Sequence, residues 1–216
     1  MSESREITPV QRLALASAGG RRERAALVFA LDNECARIVR MANEPLMAQI
    51  RLAWWRDGLS AAQAGPEHRS DLMDALRGMD RFADMRDALV AVIDGWEELL
   101  VAEAEGWQAM LPGYAQGRGG GLFAALAGDD AAAPGRIWAL WDLAGNVSDA
   151  ALARDAVVQA QMLLSDAARY DLHRLPRIMR MLAIPAIRDI ERGKGAPARL
   201  DARLYFRLLR IQLLGR

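Results

Sequence analysis

The chain has 216 residues, 52% of them hydrophobic, and 28 basic side chains balance 28 acidic ones. That length suits one domain with an ample core, or two closely packed halves, and a net charge of zero gives no overall attraction to nucleic acid. Cys35 is the only cysteine, which excludes an internal disulfide and any multi-cysteine metal site.

Nearly every segment carries helical period. Thr8 reads as an N-cap with Pro9 in the first turn, and Gly19 and Gly20 end that helix. The next helix is predicted from about Arg21 to Asn43, with Leu27, Leu31, Ile38 and Ala42 as one apolar stripe. Pro45 opens a third, with Leu46, Ile50 and Trp54 in register, fading between Gly58 and Gly65. "AGPEHRSD" is a loop whose Ser70 caps a short helix, and a longer helix runs from about Asp80 through Glu105. "LPGYAQGRGGGLFAALAG" reads as a break and then a helix with glycines clustered at its start. "DDAAAPG" reads as a turn. Helices follow near 135–145, 149–170, 172–192 and 199–214, the last two separated by "ERGKGAPARLD". No alternating strand and no internal repeat is visible. The expected fold class is all-α, with eight or nine helices in a single domain over 1–216.

The opening "MSESREITPVQR" lacks the apolar core of a signal peptide, and no apolar run approaches the roughly 20 residues of a spanning helix. A cytoplasmic protein, soluble or peripheral to a membrane, is expected. Charge is unevenly spread. From Leu172 to Arg216 stand ten Arg and Lys194 against Asp189, Glu191 and Asp201, a net of +8, so the body before them carries −8. Either the two parts neutralise each other when packed, or the basic end meets an anionic partner. On the last helix Arg203, Arg207 and Arg210 recur at helical spacing beside Leu204, Leu208 and Ile211. Such a basic amphipathic helix suits an anionic membrane surface or an acidic protein face.

Polar residues on the second helix raise a sharper question. Asn33, Arg37, Arg40 and Glu44 fall at spacings of four, three and four, roughly opposite the apolar stripe. They form either a solvated face of weak ion pairs, each contributing about 0.3–0.5 kcal/mol, or one wall of a site. Asp80 and Asp84 make a D-x-x-x-D with Asp87 one turn on; they are candidate metal ligands, or carboxylates favoured by a helix start. His68 and His173 are isolated and make no metal site. "GRGGG" offers backbone N–H groups to an anion or close packing to another helix. Trp54 and Trp55 stand about 100° apart on their helix, so one enters the core and the other faces a cavity, a partner or further core.

The stretch "ALVFALDNECARIVRMANEPLMAQIRLAWWRDGL" resembles the opening of the squalene/phytoene synthase family. It is most similar to the branch that contains bacterial homologues of a mitochondrial complex I assembly factor. The shared pattern is a small-apolar helix, an acidic-asparagine step, then "ARI", "EP", "IRL" and "WWRDGL". Farther on, "GYAQGRGGGLFAALAG", with Tyr114, is similar to the family's tyrosine and glycine-rich helix start, and "GRIWALWDLAG" falls on another of its core helices. The resemblance is best over about 20–60, fair over 110–145 and vague beyond; the C-terminal end is short for the family.

The resemblance implies an isoprenoid-synthase-like helical fold around a central cavity. Active members join two prenyl diphosphates head to head, holding magnesium with aspartate-rich motifs on facing helices. The first motif should fall on Ala36, Arg37 and Arg40, which offer no carboxylate; two are permanent cations that repel a divalent ion. A register one turn earlier offers Asp32, Asn33 and Ala36, with a single carboxylate. For the second motif the nearest substitutes are Asp142 and Asn146, one turn apart. The expected function is therefore non-catalytic, with no cofactor: binding or assembly, by analogy of respiratory complex I at the inner membrane face, or carriage of an isoprenoid or lipid. The alternative is an active magnesium-dependent prenyltransferase that recruits Asp80 and Asp84, or Asp142, as replacement ligands. The residues expected in a cavity or an anion site are Asn33, Arg37, Arg40, Glu44, Tyr114, Asp142 and Asn146.

Overall fold

A computed structural model describes residues 8–62, 65–168, 170–197 and 199–214. Residues 1–7, on which the signal-peptide reading rested in part, lie outside them, as do Ala64 of the "AGPEHRSD" loop and Arg169 of the helix expected over 149–170. Among the described residues all regular structure is helical, as the periodicity requires, in more and shorter segments than eight or nine. No described helix is long and apolar enough to cross a membrane.

The first helices begin where local chemistry dictates. α1 (Pro9–Ala16) opens on a reciprocal capping box: Gln11 N–H donates to the Thr8 hydroxyl (3.2 Å), and Thr8 N–H donates to the Gln11 side-chain carbonyl (2.9 Å). α2 (Arg22–Arg40) ends at Met41, short of Asn43. Its buried arc takes in Val28, Phe29, Leu31, Asp32, Cys35, Ala36 and Ile38, far wider than one stripe. Leu27 is only half-buried and Ala42 lies beyond the helix. α2 is thus wrapped by neighbours on several sides. α3 (Pro45–Ser60) starts on its proline, and α4 (Asp71–Arg77) on Ser70, whose hydroxyl accepts from Met73 N–H at 3.1 Å.

α5 (Phe82–Glu105) is the longest helix. It starts two residues later than expected because Arg81 takes a left-handed φ of 61°, which interrupts a right-handed helix. Next come α6 (Trp107–Tyr114), a π-helical turn (Ala115–Gly120) and α7 (Gly121–Ala127), without the break expected there. The π-turn lies between α5 and α8 (Ala132–Asn146), and glycines set the spacing. A Cβ on Gly95 would lie 2.2 Å from Arg118 N, and one on Gly119 would lie 2.2 Å from the Gly135 carbonyl oxygen. "GRGGG" therefore sits inside a continuous helical run, not at a helix start. "DDAAAPG" is only partly a turn, since Ala132 through Gly135 already belong to α8.

α9 (Ala150–Met162) and α10 (Leu164–Ala168) divide the helix expected over 149–170. α11 (Arg177–Ile190) begins after Pro176 rather than near Leu172, and α12 (Ala202–Leu214) closes the described chain. Buried residues from α1 through α12 join one apolar core, centred on α2, α5, the π-turn, α8 and α11.

Candidate functional site

From Trp107 to Gly128, Arg118 is the only charged residue. The π-turn places it at the centre of the molecule, 5% exposed, against Asp32 of α2, which is 1% exposed. Arg118 Nε and Nη2 donate to the two carboxylate oxygens of Asp32 at 2.9 and 3.0 Å. Trp96 Nε1 of α5 donates to the same carboxylate at 2.7 Å. The third nitrogen, Arg118 Nη1, reaches the Tyr114 hydroxyl at 2.6 Å and Asp142 of α8 at 2.7 Å. The guanidinium lies over the rings of Trp96 and Trp138, 4.5 and 4.8 Å from their centroids.

Burial alone would lower the affinity of Arg118 for its proton. Asp32, Tyr114 and Asp142 more than offset this, holding it well above the usual arginine range. Burial pushes the Tyr114 hydroxyl up, against the pull of Arg118, so it stays protonated. Burial, aided by Asp32 and Glu34, likewise raises the Cys35 thiol well above its ordinary value, which leaves it unreactive as a nucleophile.

Above this cluster opens a cavity of about 560 Å³. Trp96, Trp107, Trp138 and Trp141 give it an aromatic wall, continued by aliphatic side chains such as Leu99, Leu152, Leu182 and Leu204. Its polar groups come from several elements: Gln11 of α1, Asn33 and Arg40 of α2, and Asp142 and Asn146 of α8. Gln11 and Asn33 exchange two side-chain amide hydrogen bonds, at 3.1 and 2.9 Å, joining α1 to α2 across the wall. Arg40 and Arg199 are exposed as well as lining, so the cavity reaches the surface beside them.

The residues singled out from the sequence divide between cavity and surface. Asn33, Ala36, Arg40, Tyr114, Asp142 and Asn146 line the cavity. Arg37 is on the neighbouring face of α2, bridged to Glu34 by two hydrogen bonds of 2.8 and 2.5 Å. Glu44 belongs to a separate hollow with Met41, Met47 and Arg51. Asp80 stands in the turn before α5 and Asp84 bonds to Arg81 at 2.7 Å, so the two do not share a helix face. Of the three arginines expected on an exposed face of α12, Arg207 turns inward to Asp189 at 2.7 and 2.9 Å; Arg203 and Arg210 remain exposed. Trp54 donates to the Glu67 carbonyl at 2.8 Å, and Trp55 is buried.

The residues present do not fit magnesium. Both oxygens of Asp32 are already taken by a guanidinium, Ala36 has no donor, and Asp142 accepts from Arg118 and from Asn146 at 3.2 Å. A hard cation would have to displace Arg118 from its own counter-ion. Among the described residues no three His, Cys, Asp or Glu side chains stand close enough to hold a metal ion. Sequence reasoning passed over Arg118 and its indole neighbours. The available signal was one charge in a long uncharged, glycine-rich run, four residues after a tyrosine.

Fold and site together define an all-helical protein with an aromatic-walled cavity over a buried ionic cluster. No protein-family model, curated protein or solved structure matches the chain.

Proposed function

We propose that this chain is a squalene/phytoene-synthase-like protein that has given up metal-dependent prenyl transfer and uses its cavity to hold an isoprenoid or other lipid-like molecule. The observation that carries the reading is the state of Asp32. Of the positions assigned to the first acidic motif in either register, only Asp32 is a carboxylate, and a bidentate guanidinium closes it; Ala36 and Arg40 stand where further ligands would be needed. The indole wall suits an extended apolar chain, and Asn33, Gln11 and Arg40 suit an oxygenated or anionic end.

Native mass spectrometry of the protein purified from its own cells is expected to show a retained apolar ligand, lost on widening Leu152 and Leu182 to Trp. Incubation with farnesyl or geranylgeranyl diphosphate and magnesium is expected to yield no condensed product. Product formation would overturn the reading in favour of the active transferase. The resemblance points further, to assembly of respiratory complex I; capture of complex I subunits by the tagged full chain tests that narrower role.

A further inference from the structure

α12 has a buried face and an apolar face that no described residue covers. Leu204, Leu208 and Ile211 are buried. On nearly the opposite side, Phe206 and Leu213 are 65% and 70% exposed, in line along the helix at a separation of seven residues. Arg203 and Arg210, also seven apart, form a parallel line about 60° round the helix. Tyr205 flanks the other side, its ring edge-on to Phe206 at 5.8 Å. The arginines of α12 face no acidic residue of their own helix: from Ala202 to Leu214 there are three Arg and no Asp or Glu. Arg207 is spent on Asp189, while exposed Arg199, just before the helix, adds a cation at the near end.

We propose that this face of α12 docks on an anionic bilayer surface, with Phe206 and Leu213 in the headgroup boundary and Arg203 and Arg210 against lipid phosphates. An aromatic and aliphatic ridge edged by cations, on a helix too short to span, is the chemistry of a helix lying in the interface plane. The positive charge of the ridge is complementary to such a surface and gives the lipid its advantage over a neutral apolar partner. Leu204, on the opposite face, and Leu200, in the linker, line the cavity, so α12 stands between cavity and bilayer.

Flotation of the full chain with phosphatidylcholine vesicles, with and without phosphatidylglycerol, tests this. Binding to the anionic vesicles, weakened by salt, is expected. Each basic contact contributes about a fivefold gain in partitioning, so Arg203→Gln with Arg210→Gln lowers it by roughly 25-fold, and Phe206→Glu with Leu213→Glu abolishes it. All four side chains are exposed, and circular dichroism confirms that the variants fold. A second pair, Met47→Glu with Ile50→Glu, alters a different exposed apolar patch and leaves binding unchanged. The proposal fails if the wild-type chain ignores anionic vesicles, or if the α12 variants bind like wild type. It fails equally if the Met47 and Ile50 pair abolishes binding. Vesicle binding reads the helix face and not the occupant of the cavity, so either reading can fall without the other.

Discussion

Two arginine–aspartate bridges tie distant parts of this chain together with nearly the same geometry and in opposite surroundings. Arg118 grips Asp32 at 2.9 and 3.0 Å; Arg207 grips Asp189 at 2.7 and 2.9 Å. The side chains of the first pair are 6% and 1% exposed, those of the second 19% and 11%. Around the first stand Trp96 and Tyr114, which satisfy leftover hydrogen-bonding groups, and Trp138, whose ring lies against the guanidinium. Around the second, Trp141 donates weakly to Asp189 at 3.3 Å. Bond lengths therefore say little about what either bridge contributes. The decisive quantity is the desolvation of the charge that would remain if its partner were removed.

The largest expected effect follows directly. Arg118→Met leaves Asp32 buried with one indole N–H for company, and is expected to destabilise the fold by about 3–5 kcal/mol in urea titration. Combining it with Asp32→Leu removes the stranded charge and is expected to recover much of that loss, since an apolar pair of similar volume is often tolerated. A double variant no more stable than Arg118→Met would mean that the ionic geometry itself holds the helices in place. Next in size is Gly95→Ala, whose methyl would strike the backbone at Arg118. It is expected to cost about 2 kcal/mol or more. Gly145→Ala is the matched change near the second bridge. Its methyl would meet the Ala196 carbonyl at 2.2 Å, but Ala196 lies outside the helices, held to α8 by one backbone hydrogen bond to the Trp141 carbonyl at 2.8 Å, so a smaller loss is expected by the same titration. Arg207→Gln is smaller again, about 1–2 kcal/mol by thermal melting, because Asp189 keeps partial contact with water.

The contrast also separates what could be read from the sequence from what could not. Thr8, Pro9, Pro45 and Ser70 mark helix starts that were legible, because capping and proline geometry are decided within one turn of chain. The π-turn was not: glycines at 117 and 119–121 suggest a break, and only close packing against Gly95 and Gly135 keeps the run helical. The start of α5 was missed for a local reason, the left-handed Arg81, which no propensity marks. On α2 the polar positions were visible as a set, yet Asn33 and Arg40 face the cavity while Arg37 bridges to Glu34. A period of 3.6 places residues on faces but does not say what covers each face. Both bridges join residues far apart in sequence, 86 positions for Arg118 and Asp32 and 18 for Arg207 and Asp189, so neither pairing has a local signature.

Salt gives the finest test of the difference between the bridges. Raising ionic strength from 0.1 M to 1 M shortens the screening length from about 10 Å to about 3 Å, but only where mobile ions can approach. Arg207 is open enough for that, so the stability gap between wild type and Arg207→Gln is expected to shrink by a few tenths of a kcal/mol. Arg118 borders the cavity but is only 5% exposed, so the gap between wild type and Arg118→Met is expected to stay constant within error. Parallel urea titrations at the two ionic strengths measure both gaps in the same buffers, cancelling general salt effects on folding. Should the Arg118 gap narrow as much as the Arg207 gap, ions would be reaching the cluster, and the cavity above it would have to admit water and salt down to Asp32.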